Sequence, residues 1–179
     1  MNKRGILLAL LLALSGCSSG SGDPDTTATP APTAPVDAGL SVFHGITVPP
    51  DPGSAADTTI AGVDTDRNGI RDEVDRYNAQ TYGADPVKYS GAQLAAKTKQ
   101  NLLVTSITDI NAATAAVYAE ADSGACLVDK FPSDNVTAIH INDDMVLRTF
   151  NTQQRQQQIK SLMFKVGQFT RSSQGVVCK

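Results

Sequence analysis

The acidic segment DTDRNGIRDEVD, residues 64–75, carries the strongest chemical signal in the sequence, because it places oxygen donors at regular intervals around one glycine. Calcium binds about six to eight oxygen ligands, drawn from carboxylates, side-chain amides and main-chain carbonyls. Gly69 supplies the sharp turn that such a loop requires, since glycine accepts positive φ values without penalty. The segment therefore predicts a Ca²⁺ site. Its candidate ligands are Asp64, Asp66, Asn68, the main-chain carbonyl of Ile70, Asp72 and Asp75.

An alternative interpretation of this segment is an Asp- and Asn-rich turn whose acidic residues stabilise the N-terminus of the next helix. It accounts for Asp72 and Glu73, but it gives no reason for the alternate spacing of Asp64, Asp66 and Asn68. That spacing matches the order of oxygen donors in an EF-hand loop, in which glycine also occupies the central turn. The ligand spacing favours the calcium interpretation.

In detail the segment resembles the calcium loops of thrombospondin type 3 repeats and dockerins more than a paired EF-hand. Those loops share an Asp at the last position, where EF-hands usually place a Glu that binds through both oxygens. Arg71 stands where paired EF-hands favour an apolar residue, and the preceding sequence DPGSAADTTIAG predicts no entering helix. Dockerins pair two loops and this chain has one, so the resemblance implies ion binding and no particular partner.

The chain begins with a basic stretch and an apolar run over 5–14, and the tetrapeptide Leu-Ser-Gly-Cys follows over 14–17. This run is about half of the roughly 20 residues that a spanning helix needs, so 1–16 is predicted to be a signal peptide. The tetrapeptide resembles the lipobox of bacterial lipoproteins, although an ordinary signal peptide or a short anchor helix is the alternative. The resemblance implies that Cys17 is lipidated and anchors the chain to a membrane, since two or more acyl chains hold a protein stably. Ser18 at the next position favours the outer membrane, with the domain in the periplasm or at the cell surface.

Residues 17–50 are dominated by Ser, Gly, Thr, Ala and Pro, a composition that predicts a disordered tether. His44, beside Val42 and Phe43, is interpreted as part of a strand or turn that docks onto the domain. The remaining 51–179 is predicted to form one domain. Removal of the two basic residues of the signal peptide lowers the net charge from −3 to −5. A mildly acidic domain without a basic stripe excludes a nucleic-acid partner.

The sequence contains three cysteines, and two of them remain once Cys17 is assigned to lipidation. In an oxidising compartment the remaining Cys126 and Cys178 are expected to form a disulfide. Two free buried thiols are the alternative. A bridge at Cys178 would fix the C-terminal end of the chain.

The apolar periodicity predicts a mainly α-helical domain. After the acidic loop, Ile70, Val74, Tyr77 and Thr81 fall on one face of a short helix that ends at 82–86. A longer helix is predicted over about 91–121, with Ser123 and Gly124 breaking it.

Residues 125–150 give a weaker signal. The stretch NVTAIHI alternates β-branched residues and predicts a short strand, while a helical turn over 143–150 is the competing interpretation. The last helix is predicted to begin at Asn151 or Thr152, with 153–158 mostly solvated. Its apolar stripe comprises Ile159, Leu162, Met163, Val166 and Phe169.

The sequence offers few residues for catalysis. The two histidines, His44 and His140, form no His-Glu-x-x-His pair. Within the predicted domain 51–179 there is neither a Gly-x-Ser-x-Gly elbow nor a phosphate-binding glycine loop. Glu73 and Glu120 are the two glutamates, and nothing in the sequence places them together. The sequence therefore predicts that the chain is not an enzyme.

Together these features predict a lipid-anchored, calcium-binding envelope protein: a small helical domain with one calcium loop and one disulfide, following a disordered tether. Its expected role is that of a non-enzymatic binding module that calcium stabilises, with a protein partner in the cell envelope. The alternative is a small hydrolase inhibitor or an immunity-type periplasmic lipoprotein.

Overall fold

The computed structural model describes residues 39–167 and residue 178. Within them, a β-hairpin and a short 3-10 helix, Gly53–Asp57, precede five α-helices, so the mainly helical fold class is confirmed. None of these helices combines the length and apolar character needed to cross a lipid bilayer. The elements are β1 (Ser41–Phe43), β2 (Ile46–Val48), α1 (Asp72–Tyr82), α2 (Pro86–Val104), α3 (Ile110–Lys130), α4 (Asn135–Thr149) and α5 (Gln153–Val166).

The hairpin lies inside the segment 17–50 for which the composition predicts a tether. Its strands pair antiparallel, with Ser41 opposite Val48, and the turn residues His44 and Gly45 both have positive φ. Two residues of this kind give a turn whose twist matches that of the paired strands. The structured chain thus includes residues before position 51, and the strand or turn expected around His44 is a hairpin.

Arg76 of α1 holds the hairpin against the helical domain. One of its guanidinium nitrogens donates to the Ser41 hydroxyl at 2.9 Å and to the Pro49 carbonyl at 3.0 Å. The same guanidinium lies 5.6 Å from the centre of the Phe43 ring, within the range of a cation–π contact. Val48 at the end of β2 is buried. The hairpin is therefore a docked part of the domain.

The long helix predicted over 91–121 is two helices, so that prediction is wrong in its details. Asp85 caps α2 by accepting from the backbone of Val87, and α2 ends at Val104. After a short connection, Asp109 caps α3 by accepting from the backbone nitrogen of Ala112. A capping aspartate satisfies helix N–H groups that otherwise have no partner, which favours a new helix start at this point.

The break predicted at Ser123 and Gly124 is also wrong, because α3 continues through both residues to Lys130. Glycine inside a helix costs about 1 kcal/mol relative to alanine. Ser123 is buried here, and so are Cys126 and Leu127 in the following turn. The packing of this last stretch of α3 outweighs the local preference of glycine.

The strand predicted in NVTAIHI is wrong, since these residues form the first half of α4. Asp134 caps this helix by accepting from the backbone of Thr137. The buried residues of α4 include Ala138, Ile141 and Met145, which follow the spacing of a helix. Among the described residues, the strands are confined to the hairpin, so nothing there would pair with a strand at this position. The competing interpretation, a helical turn over 143–150, was closer to the structure, but α4 begins earlier, at Asn135.

The final helix begins as predicted, with Thr152 accepting from the backbone nitrogen of Arg155. Within the predicted apolar stripe, Leu162 is buried while Met163 is partly exposed, and Phe169 lies outside the described residues. Phe164 is 91% exposed. The start of the helix is largely solvated as expected, with the exception of Arg155, which is fully buried.

The core consists of two clusters of mostly small aliphatic side chains. One joins α1, α2, α3 and α4 around Val74, Leu127 and Met145, and the other joins α2, α3 and α5 around Leu102 and Leu162. The predicted disulfide between Cys126 and Cys178 is confirmed, with Cα atoms 5.3 Å apart. The bridge fixes residue 178 to the buried stretch of α3.

Candidate metal centre

The acidic loop folds as a closed turn that leads directly into α1. The backbone nitrogen of Asp72 donates to the Val63 carbonyl at 2.9 Å, which joins the two ends of the loop. Gly69 has φ 88° and Arg67 has φ 58°, so two residues adopt the left-handed conformation that reverses the chain. Ile70 is buried in the core beside α1. The loop is therefore fixed to the domain at both ends.

Inside the loop, carboxylates accept hydrogen bonds from backbone nitrogens. The two oxygens of Asp64 accept from Asn68 at 3.2 Å and from Gly69 at 3.0 Å. Asp66 also accepts from the backbone nitrogen of Asn68. The amide oxygen of Asn68 accepts from the backbone nitrogen of Ile70 at 2.7 Å. These bonds hold the acidic side chains on the inner side of the turn.

Three of the predicted ligands converge. One carboxylate oxygen from each of Asp64, Asp66 and Asp72 lies within 4.8 Å of the other two, close enough for all three to contact one metal ion. Asp72 is buried at the start of α1, and its oxygens accept from the backbone nitrogen and the hydroxyl of Thr65 at 2.8 and 2.6 Å. A set of hard carboxylate oxygens around one point is the donor chemistry that a hard divalent cation requires.

Asn68 and Asp75 adjoin this group in a different way. The side-chain nitrogen of Asn68 points toward the acids, donating to Asp66 at 3.2 Å and to the carboxylate of Asp75. Asp75 is buried, and its second oxygen accepts from the side-chain amide of Gln93 on α2 at 2.8 Å. Both predicted ligands thus lie next to the three converging carboxylates and are joined to them through hydrogen bonds.

The loop carries an excess of negative charge that burial makes more costly. Partial desolvation raises the pKa of Asp66, and the neighbouring carboxylates of Asp64 and Asp72 raise it further. Burial raises the pKa of Asp75, against the hydrogen bonds from Asn68 and Gln93. A nearby cation would relieve this repulsion, because it favours the ionised form of each carboxyl group.

Arg71 is an important residue of the loop whose role the sequence did not reveal. Its guanidinium is fully buried and donates to the carbonyls of Arg148 and Thr149, the last residues of α4, at 2.8 and 3.2 Å. Its third nitrogen lies 2.6 Å from the Glu73 carboxylate. Cationic groups are favoured at the C-terminal end of a helix. The sequence contains one indication of this role, an arginine at the position where paired loops carry an apolar residue. In the structure this arginine contacts the end of α4.

A second buried arginine fixes the chain that leads into the loop. Arg155 of α5 donates to the carbonyls of Ile60 and Thr59 at 3.1 and 3.0 Å, and it forms an ion pair with Asp57 at 2.7 Å. Gly62, with φ 71°, lies against both arginines. The hydrogen bonds of Arg155 hold 56–60 in place although this segment contains little regular structure.

The residues considered for catalysis are dispersed. His44 lies in the hairpin turn, and His140 is an exposed residue of α4. Glu73 is paired with Arg71, while Glu120 lies 3.1 Å from the buried ammonium of Lys99. Two shallow cavities of about 250 and 220 Å³ share Glu73, Tyr77 and Arg148 between α1 and α4. The acidic loop is therefore the main concentration of metal-ligating side chains within the described residues.

Comparisons with protein-family models, with curated proteins and with solved structures find no match to this chain.

Proposed function

We propose that residues 64–75 bind one calcium ion and that this ion stabilises the start of α1. The observation that carries the proposal is the convergence of Asp64, Asp66 and Asp72, each of which has one carboxylate oxygen within 4.8 Å of the other two. A cation between them offsets the repulsion among the three carboxylates. It also joins the beginning of the loop to the first residue of the helix.

Calcium suits this donor set better than magnesium does. Oxygens that bind one calcium ion at 2.3–2.6 Å can lie up to about 5 Å apart, whereas magnesium at 2.0–2.1 Å limits opposite ligands to about 4 Å. Magnesium also demands a regular octahedron and retains several of its waters. A loop that offers several carboxylates directly to one ion therefore favours calcium.

The other predicted ligands can complete the coordination. Asn68 can contribute its amide oxygen, which has two lone pairs and accepts one hydrogen bond, from the backbone nitrogen of Ile70 at 2.7 Å. The Asp75 oxygen that now accepts from Asn68 faces the same region. The main-chain carbonyl of Ile70 is the remaining candidate from the chain. These donors approach the number that calcium requires, with water supplying the rest.

The expected contribution of calcium to folding is modest. Extracellular calcium modules commonly bind with dissociation constants of about 10⁻⁴ to 10⁻³ M. With calcium about tenfold above such a constant, the folded state gains about 1.4 kcal/mol. The helical core and the disulfide do not involve the loop carboxylates. Calcium should therefore adjust the stability of the domain without being required for folding.

Calorimetric titration of the chelator-treated protein tests the proposal. We expect the wild type to bind one calcium ion and to melt at a higher temperature in millimolar calcium. An Asp64→Ala, Asp66→Ala double variant should show neither effect. Asp143→Ala, which removes an exposed carboxylate of α4, should bind like the wild type. Absence of both heat and thermal shift in the wild type would show that the loop is only an acidic turn.

We also propose that the chain is a lipoprotein anchored through Cys17. The sequence Leu-Ser-Gly-Cys after a short apolar run supports this, and Cys17 lies outside the described residues. A Cys17→Ser variant should accumulate as an unprocessed, unlipidated precursor, which intact-mass measurement can detect. A wild-type mature chain that begins at another residue and lacks acyl mass would contradict the anchor.

The function that these features support best is a non-enzymatic binding module of the cell envelope. In this proposal the lipid holds the domain at a membrane, most readily the outer membrane, and calcium stabilises the domain in the periplasm or at the surface. Capture from envelope extracts with the wild type and with the Asp64→Ala, Asp66→Ala variant tests the role of calcium. A partner retained by the wild type only when calcium is present would support this function. Turnover of an envelope substrate by the purified protein would contradict it.

A further inference from the structure

The two oxygens of the buried Asp75 carboxylate have different partners. One oxygen accepts a hydrogen bond at 2.8 Å from the side-chain amide of Gln93, which lies on α2. The other oxygen accepts from Asn68 and faces the acidic loop. Asp75 is only 2% exposed, so water contributes little to either oxygen. The carboxylate is therefore shared between a neighbouring helix and the candidate metal site.

The amide of Gln93 is itself held in a fixed orientation. Its nitrogen also lies 2.9 Å from the hydroxyl of Tyr89, one turn earlier on the same helix. Both residues are partly buried on α2, which packs against α1. Each amide hydrogen thus has an acceptor, and the nitrogen that faces Asp75 has little freedom to turn away.

We propose that Gln93 is a positioning residue for the calcium site, which holds one oxygen of Asp75 on α2 so that the carboxylate offers its other oxygen to the ion. This inference rests on the proposed calcium site. In loops that end in Glu, the last side chain binds calcium through both oxygens. Here the shorter Asp75 binds through one oxygen, and Gln93 fixes which oxygen that is. The orientation of the last ligand thus comes from a residue 18 positions beyond it in the chain.

The hydrogen bond from Gln93 to Asp75 is expected to affect calcium affinity. Groups that orient metal ligands through hydrogen bonds commonly contribute about 10- to 100-fold to metal affinity. Loss of the Gln93 amide leaves a buried oxygen of Asp75 without its donor and lets the carboxylate rotate. A rotated carboxylate offers the ion a less favourable geometry, so the affinity for calcium should fall.

The test compares two Gln→Met variants of α2 by calcium calorimetry and by melting of the chelator-treated protein. Gln93→Met removes the donor to Asp75. Gln100→Met removes a similar bond, since the Gln100 amide donates at 2.8 Å to the carbonyl of Ala61 outside the loop. We expect Gln93→Met to weaken calcium binding by tenfold or more. Gln100→Met should lower the melting temperature and leave the dissociation constant within about twofold of wild type.

A third variant covers the case in which Gln93→Met does not fold. Tyr89→Phe keeps the donor to Asp75 and removes the hydroxyl that helps to orient it, so calcium affinity should fall by a smaller factor, about two- to fivefold. Wild-type affinity in Gln93→Met would overturn the inference, and so would wild-type affinity in Tyr89→Phe when Gln93→Met does not fold. Equal weakening in Gln93→Met and Gln100→Met would overturn it as well. Absence of calcium binding by the wild type would instead refute the calcium site itself.

Discussion

Gly62 provides a sharp test of the buried arginines that hold the acidic loop. A methyl group added at this position would lie 2.2 Å from the side-chain Cδ of Arg71 and 3.1 Å from a guanidinium nitrogen of Arg155. Non-bonded carbon atoms are most stable at about 3.5–4.0 Å, so Gly62→Ala forces Arg71 to move by more than 1 Å. Because Arg71 is fully buried and donates to two carbonyls of α4, such a movement distorts these hydrogen bonds.

The expected cost of Gly62→Ala has two parts. The positive φ of 71° costs an alanine about 1–2 kcal/mol. Displacement of Arg71 weakens hydrogen bonds from a charged group, each of which contributes about 1.5–3 kcal/mol. We therefore expect a loss of about 3–5 kcal/mol in the free energy of unfolding, a large fraction of the 5–15 kcal/mol typical of a domain.

Alanine variants at two other glycines distinguish the backbone cost from the cost of displacing Arg71, when all three variants are unfolded with urea. Gly45 in the hairpin turn has φ 81° with open space around it, so Gly45→Ala should cost only the backbone part of about 1–2 kcal/mol. Gly124 in α3 also has open space and a helical backbone, so Gly124→Ala should stabilise the protein by about 0.5–1 kcal/mol. A cost at Gly62 no larger than that at Gly45 would refute the assigned role of Arg71.

Two further expectations concern pH and the disulfide. Because the folded-state pKa values of Asp66 and Asp75 lie above the ordinary 3.8, the metal-free domain should lose stability as pH rises from about 4 through those values. If calcium binds the loop as proposed, it would compete with these protons, so its effect on the melting temperature should be larger at pH 7 than at pH 4. Equal effects would contradict the proposal. Replacing Cys126 and Cys178 by Ser should cost about 4 kcal/mol in the chain-entropy model for a separation of 52 residues. Peptide mapping should find the two cysteines linked in unreduced protein, and alkylation of both thiols there would contradict the bridge.

Features that depend on neighbouring residues, together with the pairing of the last two cysteines, could be predicted from the sequence. The spacing of acids and the central Gly69 identified the loop, and three of its six candidate ligands converge as a metal site requires. Thr152 as the cap of α5 was also predictable, because a helix cap is a local signal. The disulfide followed from counting cysteines once Cys17 was assigned to the lipid.

The errors arose where tertiary packing decides the outcome. Local alternation suggested a strand in NVTAIHI, but the exposed β-branched residues Val136 and Ile139 lie on the solvent side of α4 while Ile141 packs into the core. Arg71 and Arg155 bond to carbonyls more than 75 residues away in the chain. Hydrophobic periodicity does not predict such partners. Every residue has a backbone carbonyl, so the sequence does not show which carbonyl an arginine will contact.

The contact between Arg71 and α4 has a consequence for how the domain would respond to changing calcium levels. Paired loops bind each other and can therefore take up two ions together, which makes the response steep. Here the position that joins paired loops carries an arginine bonded to the end of α4 within the same domain. If this single loop binds calcium as proposed, it would fill along a simple hyperbola, with a Hill coefficient of one. The occupancy of such a site would rise gradually over a wide range of calcium concentration, so the domain would not act as a switch.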